Sequence, residues 1–215
     1  MANTKMRDWE EIFRKKRGIL RKPNKQLIKA IQELKKNKVK KILDHGCGTG
    51  RHYFLLKSKG FNVYGCDNSK TALKFIRGID PKAKLKKCDV SKLPYKSNFF
   101  DGVASIAVIQ HATIKKIKKT IKEISRVLKK NGLLFLITIS NRDPSYKTGK
   151  EIEKNTKINI DQIDSKIPHH FFNKKELIGL FHNFKIVRLT HSIRDSSLIP
   201  DKKRCAWVLL AEKKR

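Results

Sequence analysis

Acidic residues are scarce in this chain of 215 residues, which has 19 Asp and Glu against 52 Lys and Arg and a formal net charge of +33. No apolar stretch approaches the roughly 20 residues that a membrane span requires, and the N-terminus lacks the apolar core of a secretory signal. The four cysteines form no C-x-x-C pair, so the spacing of a tetrahedral metal site is missing. We therefore expect a soluble, cytoplasmic protein with reduced thiols, no metal and no membrane partner.

The excess of basic charge predicts salt-sensitive association with polyanions such as RNA. The basic residues concentrate at 14–17 (R-K-K-R) and at 115–119 (K-K-I-K-K). The second cluster also has a purely structural explanation, because isoleucines at helical spacing make its lysines the outer face of an amphipathic helix. The composition therefore leaves two interpretations open, a nucleic-acid partner and an ordinary solvated surface.

Short apolar runs alternate with helical patterns along the chain, as in a parallel α/β sheet. An Asn-x-x-Glu sequence at 173–176 predicts the start of a further helix, whereas residues 141–168 are polar and weakly patterned, a connection long enough to shape a pocket. The length suits one doubly wound domain. Strands are predicted at residues 40–44, 62–67, 84–89, 102–107 and 133–139, and β-rich runs follow at 184–190 and 205–211.

A glycine-rich loop follows the first predicted strand. Residues 39–50 read V-K-K-I-L-D-H-G-C-G-T-G, with glycine at 46, 48 and 50. This G-x-G-x-G spacing differs from that of dinucleotide sites and from that of phosphate-binding P-loops. Taken alone, such a loop can be a plain connection between a strand and a helix. Asp67, about 20 residues on, closes the second strand at the position where a ribose diol is held in nucleoside-binding α/β folds.

Five motifs in order resemble those of class I S-adenosylmethionine-dependent methyltransferases. They are D-H-G-C-G-T-G (44–50), G-C-D (65–67), C-D-V (88–90), F-F-D-G-V-A-S-I-A-V-I-Q-H (99–111) and I-S-R-V-L-K-K-N-G-L-L-F-L (124–136). The resemblance implies a Rossmann-like, doubly wound α/β fold. It implies a mostly parallel seven-stranded sheet, an antiparallel C-terminal strand and helices on both faces. It also implies a methyltransferase domain over 39–215, preceded by a basic helical segment, 1–38, that covers the cofactor site.

The same resemblance implies S-adenosylmethionine as the cofactor. Asp44 and Gly46 would border its methionine part, Asp67 its ribose hydroxyls, and Asp89 with Val90 its adenine. The full set of implied cofactor contacts is Asp44, Gly46, Gly48, Gly50, Asp67, Asn68, Asp89, Val90 and Ala107. Trp9 and Phe13 are candidate lid residues or ordinary core residues, and His45, where the family usually has an apolar residue, is expected to pack behind the loop.

Three histidines are candidates for a catalytic base, because imidazole accepts protons near neutral pH. His111 is predicted at the end of the fourth strand, and His169 and His170 precede the helix expected after Asn173. Each of them has a structural role as the alternative. The chain lacks [DN]-P-P-[YFW] and Pro-Cys or Thr-Cys, which argues against methylation of exocyclic base amines and of pyrimidine carbons.

The acceptor stays open between two kinds of O- or N-methyltransferase. One acts on RNA, since the segments S-I-A-V-I-Q-H, H-F-F and C-A-W-V-L-L-A-E-K weakly resemble tRNA wobble-uridine carboxymethyl methyltransferases. The other acts on a small molecule and has an incidentally basic surface. A third hypothesis, a nucleic-acid-binding protein that no longer methylates, conflicts with the intact glycines and aspartates of the cofactor motifs.

Overall fold

A seven-stranded sheet forms the centre of the computed structural model, which describes residues 9–15, 22–160, 166–195 and 203–214. The strands are β1 (Lys41–His45), β2 (Asn62–Asp67), β3 (Lys84–Lys87), β4 (Phe100–Ile106), β5 (Leu128–Ile139), β9 (Phe184–Asp195) and β10 (Lys203–Lys213). Their order is β3-β2-β1-β4-β5-β10-β9, and β10 runs antiparallel to both of its neighbours while the pairs from β3 to β5 are parallel. The predicted α/β fold with an antiparallel C-terminal strand is confirmed.

Helices cover both faces of this sheet. They are α1 (Trp9–Lys15), α2 (Lys25–Lys36), α3 (Arg51–Ser58), α4 (Lys70–Ile79), α5 (Ile114–Val127) and α6 (Lys174–Leu180). Apolar stripes of α2, α3 and α4 enter one core cluster, and those of α5 and α6 enter the other. The buried residues of α5 include Ile117, Ile121 and Ile124, so this helix turns its lysines outward, as its spacing predicts.

Helix starts follow local capping chemistry. The side chain of Asn24 accepts the N–H of Gln26 at 2.8 Å at the start of α2. Asn173 accepts the N–H of Glu176 at 2.9 Å, which confirms the predicted start of α6. None of the helices in the described ranges is long and apolar enough to cross a membrane.

Asp89, Ala107 and His111 were predicted at the ends of parallel strands, and in the structure all three lie beyond those ends. β3 ends at Lys87, so Asp89 lies two residues beyond it, and β4 ends at Ile106. Ala107 has a φ of 57° and turns the chain away from the sheet. His111 therefore lies in the loop after β4 and not at the end of the strand, where it was expected.

The connection after β5 is more regular than its composition predicts. It contains a 3₁₀ turn at Pro144–Lys147 and the short strands β6 (Lys150–Glu153) and β7 (Thr156–Ile158). Strand β6 pairs with β7, and β7 pairs with β8 (His169–His170). Asn155, with a φ of 63°, turns the chain between β6 and β7. Strands this short carry too few residues to show the alternation that identifies a longer strand in sequence.

Candidate active site

The glycine loop joins β1 to α3 and needs glycine for two physical reasons. Gly46, Gly48 and Gly50 have φ values of 70°, 51° and 92°, in the left-handed region that other residues rarely adopt. A Cβ at Gly46 would lie 2.5 Å from Val108 Cγ2, and one at Gly48 would lie 3.2 Å from the Phe13 ring. The loop therefore presents bare backbone beside the end of β1.

Asp44, the fourth residue of β1, carries a buried carboxyl at the base of this loop. Its side chain is 1% exposed, and Oδ2 has no hydrogen-bond partner among the described residues. Burial raises its pKa to about 7; Arg51 opposes that rise and Asp67 adds to it. A buried, unpaired oxygen of this kind is costly unless a ligand donates to it.

Asp67, at the end of β2, ties the loop to α4. Its Oδ2 accepts the N–H of Gly48 at 2.8 Å, and its Oδ1 accepts the N–H of Ser69 at 2.9 Å. Burial raises its pKa, although these N–H donors oppose that rise. Each carboxylate oxygen has two acceptor sites, so a diol can still donate to Asp67, and Asn68 beside it is exposed.

The two residues predicted at the adenine have different surroundings. Asp89 is about half exposed, with Oδ2 at 2.7 Å from Lys116 Nζ and Oδ1 accepting from Ser91. The carbonyl of Val90 lies 3.1 Å from Nε2 of His45. The N–H of Cys88 donates to the carbonyl of Asp67 at 3.0 Å, which brings the ends of β2 and β3 together. The adenine contact itself stays a prediction.

His45 is a buried bridge behind the loop. Its Nδ1 lies 3.0 Å from Ser105 Oγ, and its Nε2 faces the Val90 carbonyl, which can only accept. The proton therefore sits on Nε2, and Nδ1 accepts from the serine hydroxyl. Burial lowers the pKa of His45 to about 4, so the ring is neutral at physiological pH. The histidine that departs from the family pattern thus links β1, β4 and the segment after β3.

Helix α1 lies across the site and is held there by an acid that the sequence analysis overlooked. Glu10 accepts from Ser69 Oγ at 2.7 Å and from the N–H of Thr71 at 3.2 Å, at the N-terminus of α4. The hydrogen bond from the Thr71 hydroxyl is the largest cause that lowers the pKa of Glu10, to about 2. The Phe13 ring lies against Gly48. No local pattern marks Glu10, because its partners are about 60 residues away in sequence.

Part of the chain is similar in sequence to known methyltransferases. Residues 43–136 match the family described as Methyltransferase domain. A tRNA (carboxymethyluridine(34)-5-O)-methyltransferase of Arabidopsis thaliana is 39% identical over 99 residues, which are 46% of this chain and 23% of that protein. A probable S-adenosylmethionine-dependent methyltransferase of Mycobacterium tuberculosis is 27% identical over 145 residues, which are 66% of this chain and 52% of that protein.

Residues 43–136 thus carry a methyltransferase domain, and the mycobacterial relative is one named as S-adenosylmethionine-dependent. A crystal structure of a methyltransferase of this kind from Methanosarcina mazei shares the fold, with a TM-score of 0.76, 24% identity and coverage of 90% of this chain and 99% of that one. The chain spans about a quarter of the length of the plant enzyme and about half of the length of the mycobacterial protein.

The methyltransferase domain fits its cofactor at the described residues. The methionine part of S-adenosylmethionine is cationic, and Asp44 places an unpaired carboxyl oxygen beside the loop where that part would bind. A Cβ at Gly46 or Gly50 would collide with Val108 or Phe54, so only glycine allows the loop its course beside β1, and Asp67 keeps acceptor capacity for a diol. These residues would hold the cofactor, which supplies an electrophilic methyl group when it is bound.

The histidines of the methyltransferase domain divide into two groups. The His111 ring lies between Trp9, at 4.8 Å between centroids, and His169, at 4.6 Å. The Nδ1 of His169 lies 2.9 Å from the carbonyl of Ile167, which fixes that nitrogen as the protonated one. His111 and His169 are thus brought together beside α1, next to the loop that follows β4.

His170 faces elsewhere and has structural partners at both ring nitrogens. Nδ1 lies 2.7 Å from Thr156 Oγ1, and Nε2 lies 3.1 Å from Glu176 Oε1. Burial lowers its pKa, although Glu176 opposes that effect. The structure therefore places His170 as a link between β7 and α6, and it separates this candidate from His111 and His169.

Proposed function

We propose that the protein transfers the methyl group of S-adenosylmethionine to an oxygen or nitrogen atom of RNA, with tRNA as the first candidate. The cofactor half of the proposal rests on Asp44, the glycine loop and Asp67. The acceptor half rests on a single observation, the similarity to the Arabidopsis tRNA methyltransferase over 99 residues. The net charge of +33 supports it, because such a field favours association with polyanions.

The protein's own task in this reaction is positioning and exclusion of water. An attacking lone pair must line up with the methyl–sulfur axis, which is an effect of orientation. Helix α1 closes one side, where Phe13 lies on Gly48 and Trp9 on His111. Glu10 holds the helix in that place through Ser69 and Thr71. These contacts enclose the space between the loop and His111.

A base is needed only if the acceptor carries a proton. A carboxylate, as in a carboxymethyluridine, is already ionised at neutral pH, so His111 would then shape the site without taking a proton. A hydroxyl or an N–H acceptor would need a base, and His111 with His169 are the imidazoles on that side. The chemistry of the acceptor therefore decides the role of the histidines.

Tritium transfer from methyl-labelled cofactor tests the proposal. The purified protein is incubated with total tRNA in one reaction and with a metabolite extract in the other, and the Asp67→Ala variant is the control. Acid-precipitable label in tRNA is the expected result. Mild base then separates the acceptor classes, because it releases a methyl ester as methanol and leaves an N-methyl group or a methyl ether in place.

A small-molecule acceptor is the second candidate, and the position of α1 favours it. The Trp9 and His111 rings are in contact, so a nucleotide reaches this side only if α1 moves, whereas a small acceptor needs less room. Label that appears in the metabolite extract and not in tRNA would establish this alternative. Label in neither would leave the cofactor site without a tested acceptor and would refute the choice of tRNA.

A further inference from the structure

An open groove of about 880 Å³ runs between α5 and α6, on the face of the sheet opposite α2 and α3. Its floor is apolar and includes Ile121, Leu180 and Phe184. Lys118 and Lys122 stand one turn apart along its α5 wall, and both are exposed. The groove thus combines an apolar floor with a cationic wall.

Two of its four cations are already engaged inside the protein. Arg126 bonds Glu123 at 2.7 Å and the backbone carbonyls of Leu93 and Tyr95. Lys213 Nζ donates to the carbonyl of Leu128 at 2.7 Å. Lys118 and Lys122 form no ion pair within the described residues. They are therefore the two side chains of the groove that are available to phosphates.

The groove is connected to the proposed acceptor site through two neighbouring residues of β8. Glu176 lines the groove and bonds His170, while the neighbouring His169 contacts His111. The Oε2 atom of Glu176 is buried without a hydrogen-bond partner among the described residues. The Glu176 side chain is about a quarter exposed, and its negative charge makes this part of the groove unfavourable for a phosphate.

We infer that the α5–α6 groove binds the single-stranded RNA that flanks the methyl acceptor. The inference rests on the proposed function, because it takes the bound RNA to be the molecule that accepts the methyl group. Single-stranded RNA can turn its bases onto an apolar floor and its phosphates toward lysines, the combination that sequence-tolerant RNA sites use. A duplex presents its phosphates outward and leaves such a floor unfilled, and an acidic peptide has side chains that suit the lysines but not the floor.

Gly179→Glu tests the groove with little disturbance of the fold. Gly179 lines the groove in the last turn of α6, and a Cβ there would meet no atom within 4 Å. Gly78 gives the matched control, since it lies in the last turn of α4, is exposed and also has no neighbour within 4 Å. Both variants add one negative charge. A fluorescent single-stranded RNA should bind at least fivefold more weakly to Gly179→Glu and about as well to Gly78→Glu as to wild type.

A salt series tests the two lysines themselves. The double variant Lys118→Ala with Lys122→Ala should flatten the slope of log K against log salt by about 1.4, because each lost phosphate contact is worth about 0.7 for a single strand. Lys115→Ala with Lys119→Ala is the control, since both residues lie exposed on α5 outside the groove. Alanine favours helix, and circular dichroism verifies that α5 persists.

The outcomes separate this inference from the proposed function. Equal affinities and equal slopes for groove and control variants would overturn the groove assignment, even if tRNA accepts label from wild type. RNA binding that depends on the groove, with no transfer of label to any RNA, would support the groove and refute RNA as the methyl acceptor. Binding of polyglutamate, measured in parallel, tests the remaining alternative, an acidic peptide as the partner. Loss of its binding in Gly179→Glu, with RNA binding unchanged, would replace RNA by an acidic protein.

Discussion

Cofactor binding should release a proton from Asp44. Its carboxyl is buried with a pKa raised to about 7, chiefly by burial, so about nine-tenths of it is protonated at pH 6. A bound cationic methionine group stabilises the ionised form and lowers that pKa. If Asp44 is fully ionised in the complex, affinity for S-adenosylmethionine should rise about fivefold between pH 6 and pH 7. The α-amino group of the cofactor titrates near 7.7 to 8 and stays charged over most of this window.

Titration calorimetry in two buffers of different ionisation enthalpy counts the protons directly. Close to one proton should leave per cofactor at pH 6, and Asp44→Asn should abolish the release and flatten the pH dependence. Asp101→Asn is the matched control, since Asp101 pairs with Lys129 near the opposite ends of the strands. Proton release that persists in Asp44→Asn would assign the proton to another group, such as the buried Asp67, and would refute the reasoning.

The same variant should affect stability in the opposite direction from binding. A carboxyl whose folded-state pKa lies above its unfolded value binds more protons when folded, so its contribution becomes unfavourable as pH rises from about 4 toward 7. Asp44→Asn removes that cost in the cofactor-free protein. Thermal unfolding at pH 7.5 should therefore show a higher midpoint for the variant without cofactor and a smaller increase on adding cofactor.

Three further predictions concern the loop and its cover. Asp67→Ala should weaken S-adenosylhomocysteine binding by about 1 to 3 kcal/mol in calorimetry, and unchanged affinity in a folded variant would remove Asp67 from the ribose site. Gly48→Val should abolish binding with little change in circular dichroism, because Gly48 has a φ of 51° and faces Phe13; normal uptake would show that the loop is only a connection. Glu10→Gln should speed dissociation of S-adenosylhomocysteine several-fold in stopped-flow measurements, whereas Glu11→Gln should not, and equal rates would mean that Glu10 does not hold α1 closed.

The sheet could be predicted from sequence because each of its central strands has a local signature. Runs such as residues 102–106 and 133–139 are almost wholly buried, so they appear as continuous apolar segments that alternate with helical stripes. The glycine loop is equally local, since left-handed φ values demand glycine at three fixed positions. The position of the candidate cofactor site follows from these two signals, because ligands of open α/β sheets bind at the carboxyl ends of strands.

The contacts that hold α1 and the glycine loop in place could not be predicted in the same way. Glu10 gains its role from Ser69 and Thr71, and His45 gains its role from Ser105 and Val90. All these partners are distant in sequence, so no local pattern indicates the role of either residue. The small sheet of β6, β7 and β8 was not predicted for a related reason. Strand β8 has only two residues, and its partner β7 lies across a long connection.

The roles of the histidines depend on such contacts more than on their positions in sequence. His169 and His170 are neighbours on β8, yet one faces His111 and the other is bound between Thr156 and Glu176. Alternation along a strand sends adjacent side chains to opposite faces, so His169 lies at the proposed acceptor site and His170 forms a structural link. A base-labile methyl product would then show that even His111 need not accept a proton, since a carboxylate acceptor is ionised before it binds.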